Sequence, residues 1–284
     1  MRRERVSDDI YVFTSSLYVQ VTASAVVTPE GIVVVDTLPF PAETVSMLEY
    51  LSGLGRGPIR YLVNTHWHGD HSYGNYLFDD TVQLVCHKLC QAALLEDGAV
   101  ALEEDKAVNP ELEEVILRVP DIIFEDGDMV IHLGEKSIEL RLMAGHTHDS
   151  TVAYVREDKV LLAADTMMPV PHFVGGSRQA FIASLHRLKD YNLESIVQGH
   201  GEVLLRGEIP EAIDSSIRYL EAVYDHVKAV VDAGHGPEAL SKITIEKCGK
   251  SRIPLNGLVQ DLHKANVYAL YQQLRNGVRS DLEG

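Results

Sequence analysis

Short apolar runs and turn residues alternate along most of this chain. Runs with strand character, such as 32–36 and 159–163, are separated by turn signals such as Pro29-Glu30-Gly31 and Glu157-Asp158. Strands are predicted at 10–14, 18–28, 32–36, 59–64, 82–86, 121–124, 128–133, 136–143, 151–156 and 159–163, and helices at 42–53, 88–104 and 177–190. This mixture predicts an α/β fold, a four-layer αβ/βα sandwich of two mixed sheets covered by helices.

The pattern becomes helical after residue 206. Apolar residues recur every three or four positions from Ile209 to Val231, Gly234 provides a stop, and a second stripe runs from Leu258 to Leu274. We therefore predict a catalytic domain over 1–206 and a C-terminal helical extension over 207–284 that packs on it. Its apolar stripes are interpreted as packing faces. Two further roles stay open for them, shaping the substrate pocket and forming a homodimer interface.

Composition limits the class of protein. With 284 residues, 45% hydrophobic and 24% charged, the chain can bury a large core, and disorder or a membrane-spanning segment is not expected. The segment 1–9 is charged and lacks the apolar stretch of a secretory signal. The cysteines Cys86, Cys90 and Cys248 form a sparse, odd set that suits a reducing compartment. We expect a cytoplasmic protein.

The charge balance indicates which kinds of binding partner are expected. The formal net charge is −17, from 25 basic and 42 acidic residues. A nucleic-acid enzyme needs a basic surface to meet the phosphate backbone, so nucleic acid is not an expected partner. A small-molecule substrate fits this balance better, and no membrane partner is expected.

One short run carries most of the chemistry. Residues 66–71 read His-Trp-His-Gly-Asp-His, directly after the predicted strand 59–64. In an extended segment, positions two apart project to one side, so His66 and His68 can reach one metal ion while Asp70 and His71 turn toward another point. One loop can therefore serve two ions, and the remaining ligands must come from elsewhere.

Three later segments offer such ligands. His146 follows the predicted strand 136–143, Asp165 follows 159–163, and His200 follows the run 195–198. Strand ends in open α/β sheets are where sites collect. Imidazole and carboxylate together suit zinc or a similar first-row ion.

This ordered set resembles the metallo-β-lactamase superfamily. The resemblance rests on H-x-H-x-D-H, then G-H-T-x-x-S, then an Asp after a strand, then G-H-G, and it spans roughly residues 10 to 205. It implies a first metal held by His66, His68 and His146, a second held by Asp70, His71 and His200, and a bridging Asp165. The implied cofactors are two divalent ions, with zinc as the first expectation and iron or manganese as alternatives.

Such a site predicts hydrolysis. Metal coordination lowers the pKa of bound water toward about 7, so a metal-bound hydroxide is the expected nucleophile. Asp70 is the candidate catalytic residue, because it can pass a proton to the leaving group. The expected substrate is a small ester, lactone, thioester or amide.

Two alternatives stay open at this point. One is a mononuclear iron enzyme of the persulfide dioxygenase type, which has the same fold and uses two histidines of the loop with a later His and Asp. The other is a non-catalytic binding protein of this fold, which would be expected to have lost ligands.

Residues outside the motifs are weaker candidates. Tyr73 follows the metal loop, and His172 and Phe173 lie in a Pro- and Gly-rich segment after Asp165 that suits a pocket loop. Arg178 is a candidate for holding a substrate carboxylate. Asp36, at the end of an apolar run, is a candidate for orienting the metal loop. The role of His148 stays open.

Overall fold

Two mixed β-sheets form the centre of the molecule in the computed structural model, which describes residues 1–276. The first sheet has seven strands in chain order: β1 (Arg2–Arg5), β2 (Ile10–Thr14), β3 (Thr22–Thr28), β4 (Gly31–Val35), β5 (Ile59–Asn64), β6 (Gln83–His87) and β7 (Ile122–Phe124). Strands β1 to β4 pair antiparallel, and β4 to β7 pair parallel.

The second sheet has six strands in the order β13-β12-β11-β10-β9-β8. They are β8 (Met129–Leu133), β9 (Lys136–Leu142), β10 (Thr151–Val155), β11 (Val160–Ala164), β12 (Ser195–Gln198) and β13 (Leu204–Leu205). All neighbours are antiparallel except β11 and β12, which run parallel.

Seven α-helices accompany the sheets within residues 1–276. They are α1 (Pro41–Gly53), α2 (Gly69–Ser72), α3 (Lys88–Ala93), α4 (Ala99–Val108), α5 (Arg178–Leu188), α6 (Ile209–Asp232) and α7 (Val259–Arg275). Within the same residues, none of these helices is long and apolar enough to cross a membrane.

The alternation of side chains along each strand creates the layers. In β4, Val33 and Val35 point into the core between the two sheets, while Ile32 and Val34 face the side covered by α1. Such strands are buried on both faces, which explains their continuous apolar runs. The far side of the second sheet shares a core with α5, α6 and α7. The predicted α/β sandwich of two mixed sheets between helices is confirmed.

Two predicted elements differ from the observed ones. The strand predicted at 18–28 begins only at Thr22, because Val19 and Gln20 adopt left-handed φ angles of 37° and 55° in a turn. The helix predicted at 88–104 is interrupted by a π-helical turn at Leu94–Gly98 and continues to Val108. Glycine is a weak helix former, and Gly98 ends that turn.

The C-terminal helices are integrated with the second sheet. One apolar cluster joins Leu161 and Ile196 of the strands to Leu220 of α6 and Leu270 of α7. The segment between the helices consists of 3₁₀ turns at Pro237–Lys242, Ile245–Cys248 and Leu255–Gly257. The predicted domain division at residue 206 stays a prediction.

Candidate metal centre

The predicted ligands follow strand ends that lie close together at one edge of the two sheets. The loop that begins at His66 follows β5, and His146 follows β9 after a short turn. Asp165 directly follows β11, and His200 follows β12 by two residues. Because these strand ends lie at one edge of the two packed sheets, residues far apart in sequence converge there.

The seven predicted donors form two groups whose ligand atoms lie within 4.8 Å of one another. The first group contains His66, His68, His146 and Asp165, and the second contains Asp70, His71 and His200. In the first group, His68 Nδ1 lies 3.2 Å from His66 Nε2 and 3.0 Å from His146 Nε2. In the second, Asp70 Oδ2 lies 3.3 Å from His200 Nε2 and 3.8 Å from His71 Nε2.

Asp165 lies between the groups and presents one oxygen to each. Its Oδ2 is 3.1 Å from His146 Nε2, in the first group. Its Oδ1 is 3.3 Å from His71 Nε2 and 3.6 Å from His200 Nε2, in the second. This arrangement suits a carboxylate that bridges two cations.

The outer nitrogens of four histidines are held by the protein. His146 Nδ1 donates to the carbonyl of His172 at 2.8 Å, and His200 Nδ1 donates to the carbonyl of Val19 at 3.1 Å. His66 Nδ1 lies 3.1 Å from Thr65 Oγ1, and His71 Nδ1 lies 2.9 Å from Asp36 Oδ2. With the outer nitrogen engaged, the inner Nε2 of each ring is left to bind a cation.

Asp36 connects both halves of the centre. It directly follows β4 with a left-handed φ of 61°, and its two carboxylate oxygens accept from the backbone N–H of Thr65 at 2.8 Å and from the Thr65 hydroxyl at 2.7 Å. The Thr65 hydroxyl in turn contacts His66, while Asp36 itself contacts His71. One carboxylate thus orients a ring in each donor group.

The centre fits divalent cations. His71 Nε2 and Asp165 Oδ1 are buried yet have no hydrogen-bond partner. A buried polar atom without a hydrogen-bond partner lowers the stability of the folded state. Two such atoms facing each other therefore indicate that a further group, bound between them, interacts with both. His68 Nδ1 lies within about 3 Å of two other imidazole nitrogens, and these three nitrogens cannot all carry protons, whereas together they suit a first-row metal.

The pKa values of the candidate histidine ligands reflect how closely the donor groups pack together. Burial, reinforced by the neighbouring histidines, lowers the pKa of His68 to about 3 and that of His66 well below its usual value. Burial opposes a positive charge on His71, but the carboxylates of Asp70, Asp165 and Asp36 outweigh it and raise the His71 pKa. The second group therefore attracts positive charge, and protons compete there with a metal.

A pocket of about 330 Å³ opens onto the centre. Its floor includes His68, Asp70, Asp165 and His200, and its walls are formed largely by apolar and aromatic side chains. The wall residues include Phe40, Trp67, Tyr73, Leu112, Met168, Leu258 and Leu262. Leu258 and Leu262 come from the C-terminal region, so that region shapes the pocket, one of the two roles left open by the sequence.

Two of the predicted substrate contacts line the pocket. The ring of Tyr73 lies in the wall, and its hydroxyl donates to Asp105 Oδ2 at 2.6 Å. His172 also lines the pocket, and its Nδ1 is buried without a partner. Burial and then His146 lower the pKa of His172 to about 4, so its imidazole is neutral at pH 7.

The other two predicted contacts lie elsewhere. Phe173 is 1% exposed and packs in the core beside the second sheet, because the loop turns its ring inward. Arg178 begins α5 and places its guanidinium 4.3 Å from the ring centroid of Tyr224, away from the pocket lining. The structure therefore does not bring either side chain to the pocket. His148 is exposed and does not line the pocket.

Sequence reasoning missed several pocket residues. Tyr18 and Val19 lie in the turn that was predicted as strand, and Asp105 lies on α4. The carboxylate of Asp70, then burial and Asp105, raise the pKa of Tyr18, so its hydroxyl stays protonated. No motif marks these residues, and their place depends on how the turn and α4 fold over the centre.

Comparison with known proteins places this geometry in a family. The family model described as the metallo-beta-lactamase superfamily matches residues 18–200. Beta-lactamase-like protein 2 homolog of Caenorhabditis elegans is 24% identical over 188 residues, which cover 66% of this chain and 57% of that protein. Acyl-coenzyme A thioesterase MBLAC2 of Bos taurus is 30% identical over 115 residues, 37% of this chain and 40% of that one. The match thus spans about half of each curated relative.

A solved structure extends the likeness to the whole fold. The stereoselective inverting sec-alkylsulfatase Pisa1 from Pseudomonas sp. superposes with a TM-score of 0.76 at 16% identity, covering 99% of this chain and 51% of that one. At this identity the likeness concerns the fold alone. With a family model that matches most of its length, the chain belongs to the metallo-beta-lactamase superfamily.

Proposed function

We propose that this protein is a dinuclear metal-dependent hydrolase that cleaves a small ester, lactone, thioester or amide. The observation that carries the proposal is the pair of donor groups joined by Asp165, whose two oxygens face one group each. Such a bridge is expected where two cations share one reacting site. Zinc is the first expectation for both positions because the donors are imidazole and carboxylate.

The donor set supports the chemistry. When bound, two divalent cations lower the pKa of a coordinated water toward about 7 and polarise the carbonyl of the substrate. The protein holds four of the five histidines in place through their outer hydrogen bonds and limits the access of bulk water by burying most of the donors. The substrate carbonyl then enters from the pocket side.

Asp70 is proposed to move the proton. Its side chain is 17% exposed and lines the pocket, whereas that of Asp165 is only 4% exposed. Asp70 Oδ2 faces His200 inside the centre, so its other oxygen remains to accept a proton and pass it to the leaving group.

The relatives support the choice of reaction. The bovine relative is named an acyl-coenzyme A thioesterase, which favours thioesters among the candidate substrates. The mononuclear iron oxygenase alternative is less favoured, because it would leave the second group of three donors without a role. The binding-protein alternative is less favoured because every expected donor is present.

Metal analysis combined with hydrolysis assays tests the proposal. We expect two divalent ions per chain by mass spectrometry, and hydrolysis of an ester, thioester or lactone panel that a chelator abolishes. His146→Ala should lose metal and activity. His148→Ala is the matched control, since His148 is an exposed histidine two residues away. One iron per chain without hydrolysis would favour the oxygenase, and no metal under replete conditions would refute both enzymatic readings.

A further inference from the structure

The pocket above the metal centre lacks positive side chains. Among residues 1–276, no lysine or arginine lines it. Lys106 follows Asp105 on α4, but its Nζ lies 3.3 Å from Glu103 Oε1 instead of facing the pocket. Arg178, which the sequence suggested as an anchor for a carboxylate, stacks on Tyr224. No lysine or arginine in the described lining can therefore form an ion pair with an anionic group on the substrate away from the metals.

Negative charge is present in the lining. Asp70, Asp105 and Asp165 are its carboxylates, and the first and last belong to the donor groups. Cations bound there would offset their charge. Asp105 lies outside both groups and makes no ion pair among the described residues, so its charge acts on the substrate.

The carboxylate of Asp105 is fixed in position. Its Oδ2 accepts the Tyr73 hydroxyl at 2.6 Å, and its backbone carbonyl accepts from the backbone N–H of Asn109 at 2.9 Å as α4 ends. A neutral hydroxyl holds the carboxylate without neutralising it. Asp105 is partly buried, and apolar Phe40 and Leu112 line the same pocket, so its charge is screened less than that of a fully exposed carboxylate.

We propose that this pocket takes substrates whose acyl part is apolar and either uncharged or cationic, that it discriminates against a carboxylate or other anion on that acyl part, and that Asp105 determines this specificity. The inference rests on the proposed hydrolase function and adds the substrate class. An ester or thioester of an uncharged acyl group fits these walls. The rejection arises because an anion entering here meets a like charge and no cationic side chain.

A charge series of esters tests the proposal on the metal-loaded protein. The substrates are 4-nitrophenyl esters of equal chain length whose far end carries a methyl group, a carboxylate or a trimethylammonium group. We expect kcat/KM for the carboxylate ester to be about tenfold or more below that of the methyl ester, as one like charge across a partly dry cavity would produce. The trimethylammonium ester should match or exceed the methyl ester. Equal or faster turnover of the carboxylate ester would overturn the proposal.

Substitutions at Asp105 and at two nearby residues test whether Asp105 causes the discrimination against the carboxylate ester. Asp105→Asn retains a carbonyl acceptor for Tyr73 and removes the charge, so the ratio of kcat/KM for the carboxylate ester to that for the methyl ester should rise several-fold. Glu104→Gln makes the same change in net charge at an exposed neighbour on α4 and should leave the ratio unaltered. Tyr73→Phe removes the hydrogen bond and keeps the charge, so discrimination should persist. An unchanged ratio in Asp105→Asn would refute the role of this residue.

Binding measurements with analogues that cannot be hydrolysed test the charge preference independently of the proposed hydrolase function. Ketone analogues of the three esters lack the scissile bond, and Trp67, the single tryptophan of the chain, lines the pocket and reports their binding by fluorescence. If no ester is hydrolysed, the hydrolase proposal fails, while the order of the three dissociation constants still decides the charge preference. Tighter binding of the carboxylate analogue than of the methyl analogue would overturn the preference.

Discussion

At the scale of single residues, Gly199 shows how closely the backbone approaches the centre. A Cβ at this position would lie 1.9 Å from Asp165 Oδ1 and 2.6 Å from the carbonyl carbon of Ala164. Both distances are far below van der Waals contact, and the bridging carboxylate is one of the atoms that would have to move. Glycine is therefore required here for space.

We predict that Gly199→Ala weakens metal binding at least tenfold by displacing Asp165, an effect of the size seen when residues that orient ligands are lost. Competition with a chromogenic chelator measures this. Gly207→Ala is the matched control, because a Cβ at Gly207 would meet nothing within 4 Å. Full metal affinity in Gly199→Ala would show that the loop can yield without moving the carboxylate.

A second residue-scale prediction concerns Lys250 and pH. Burial, with a contribution from Arg218, lowers the pKa of Lys250 to about 8 from 10.5, and among residues 1–276 its Nζ donates only to Ser216 Oγ, at 3.2 Å. The folded state thus disfavours the protonated form. Between pH 8 and 10.5 the unfolded chain binds more protons at this side chain, so its contribution to stability rises with pH across that window.

Lys250→Met should remove the free-energy cost of keeping a protonated lysine buried in the folded state. We expect the variant to be more stable than the parent at pH 7, by up to about 3 kcal/mol for a shift of this size, and to lose the advantage as the pH approaches 10.5. Denaturant unfolding at several pH values measures the difference. Lys242→Met, at an exposed site, is the control. A stability difference that does not depend on pH would contradict the assignment.

The sequence was sufficient to predict the donors of the metal centre, but it was not sufficient to predict which residues line the pocket. The seven donors stand in short motifs at predicted strand ends, so their convergence followed from the topology of the sheets. Phe173 and Arg178 lie away from the pocket, and the sequence could not show this because the direction of a side chain next to a loop depends on what packs beneath it. Asp105 escaped notice because a single acidic residue on an amphipathic helix carries no pattern.

At the scale of elements, periodicity located most strands and helices within a few residues. It missed β1 (Arg2–Arg5), because three arginines and a glutamate have no apolar alternation and pair only at the edge of the sheet. It also missed the two-residue strand β13. Both pairings are tertiary consequences of neighbouring strands, which local pattern does not encode.

The helix α7 reaches the metal centre through one side chain. Asn266 is fully buried, and its Oδ1 accepts from the backbone N–H of Phe173 at 3.1 Å while its Nδ2 donates to the carbonyl of Pro171 at 2.7 Å. These two residues flank His172, whose carbonyl accepts from His146 Nδ1. Asn266 therefore holds the loop that orients one of the candidate ligands.

We predict that Asn266→Leu lowers both stability and metal affinity. Each buried backbone group left unpaired costs about 1–3 kcal/mol. Release of the His172 carbonyl should weaken metal binding about 10-fold or more. Denaturant unfolding and chelator competition measure the two effects, with Lys264→Ala, an exposed residue of α7, as the control. Reduced stability with unchanged metal affinity would mean that Asn266 supports the fold without reaching the centre.

At the scale of the whole molecule, the C-terminal helices complete a core that the rest of the chain leaves open. Leu161 and Ile196 of the second sheet, buried in the same cluster as Leu220 and Leu270, would be exposed without α6 and α7. Leu258, in the pocket wall, would be lost as well. An exposed apolar face of this extent favours aggregation.

A fragment covering 1–206 should therefore not fold on its own, although the sequence pattern suggested a division at residue 206. We expect it to be insoluble, or to show no cooperative thermal unfolding and no stoichiometric metal binding, because the outer face of the second sheet and the loop held by Asn266 both lose their support. Coexpression with 207–284 should restore solubility if packing alone is missing. A fragment 1–206 that unfolds cooperatively and binds two metal ions would establish the catalytic domain as independent and reduce the extension to a wall of the pocket.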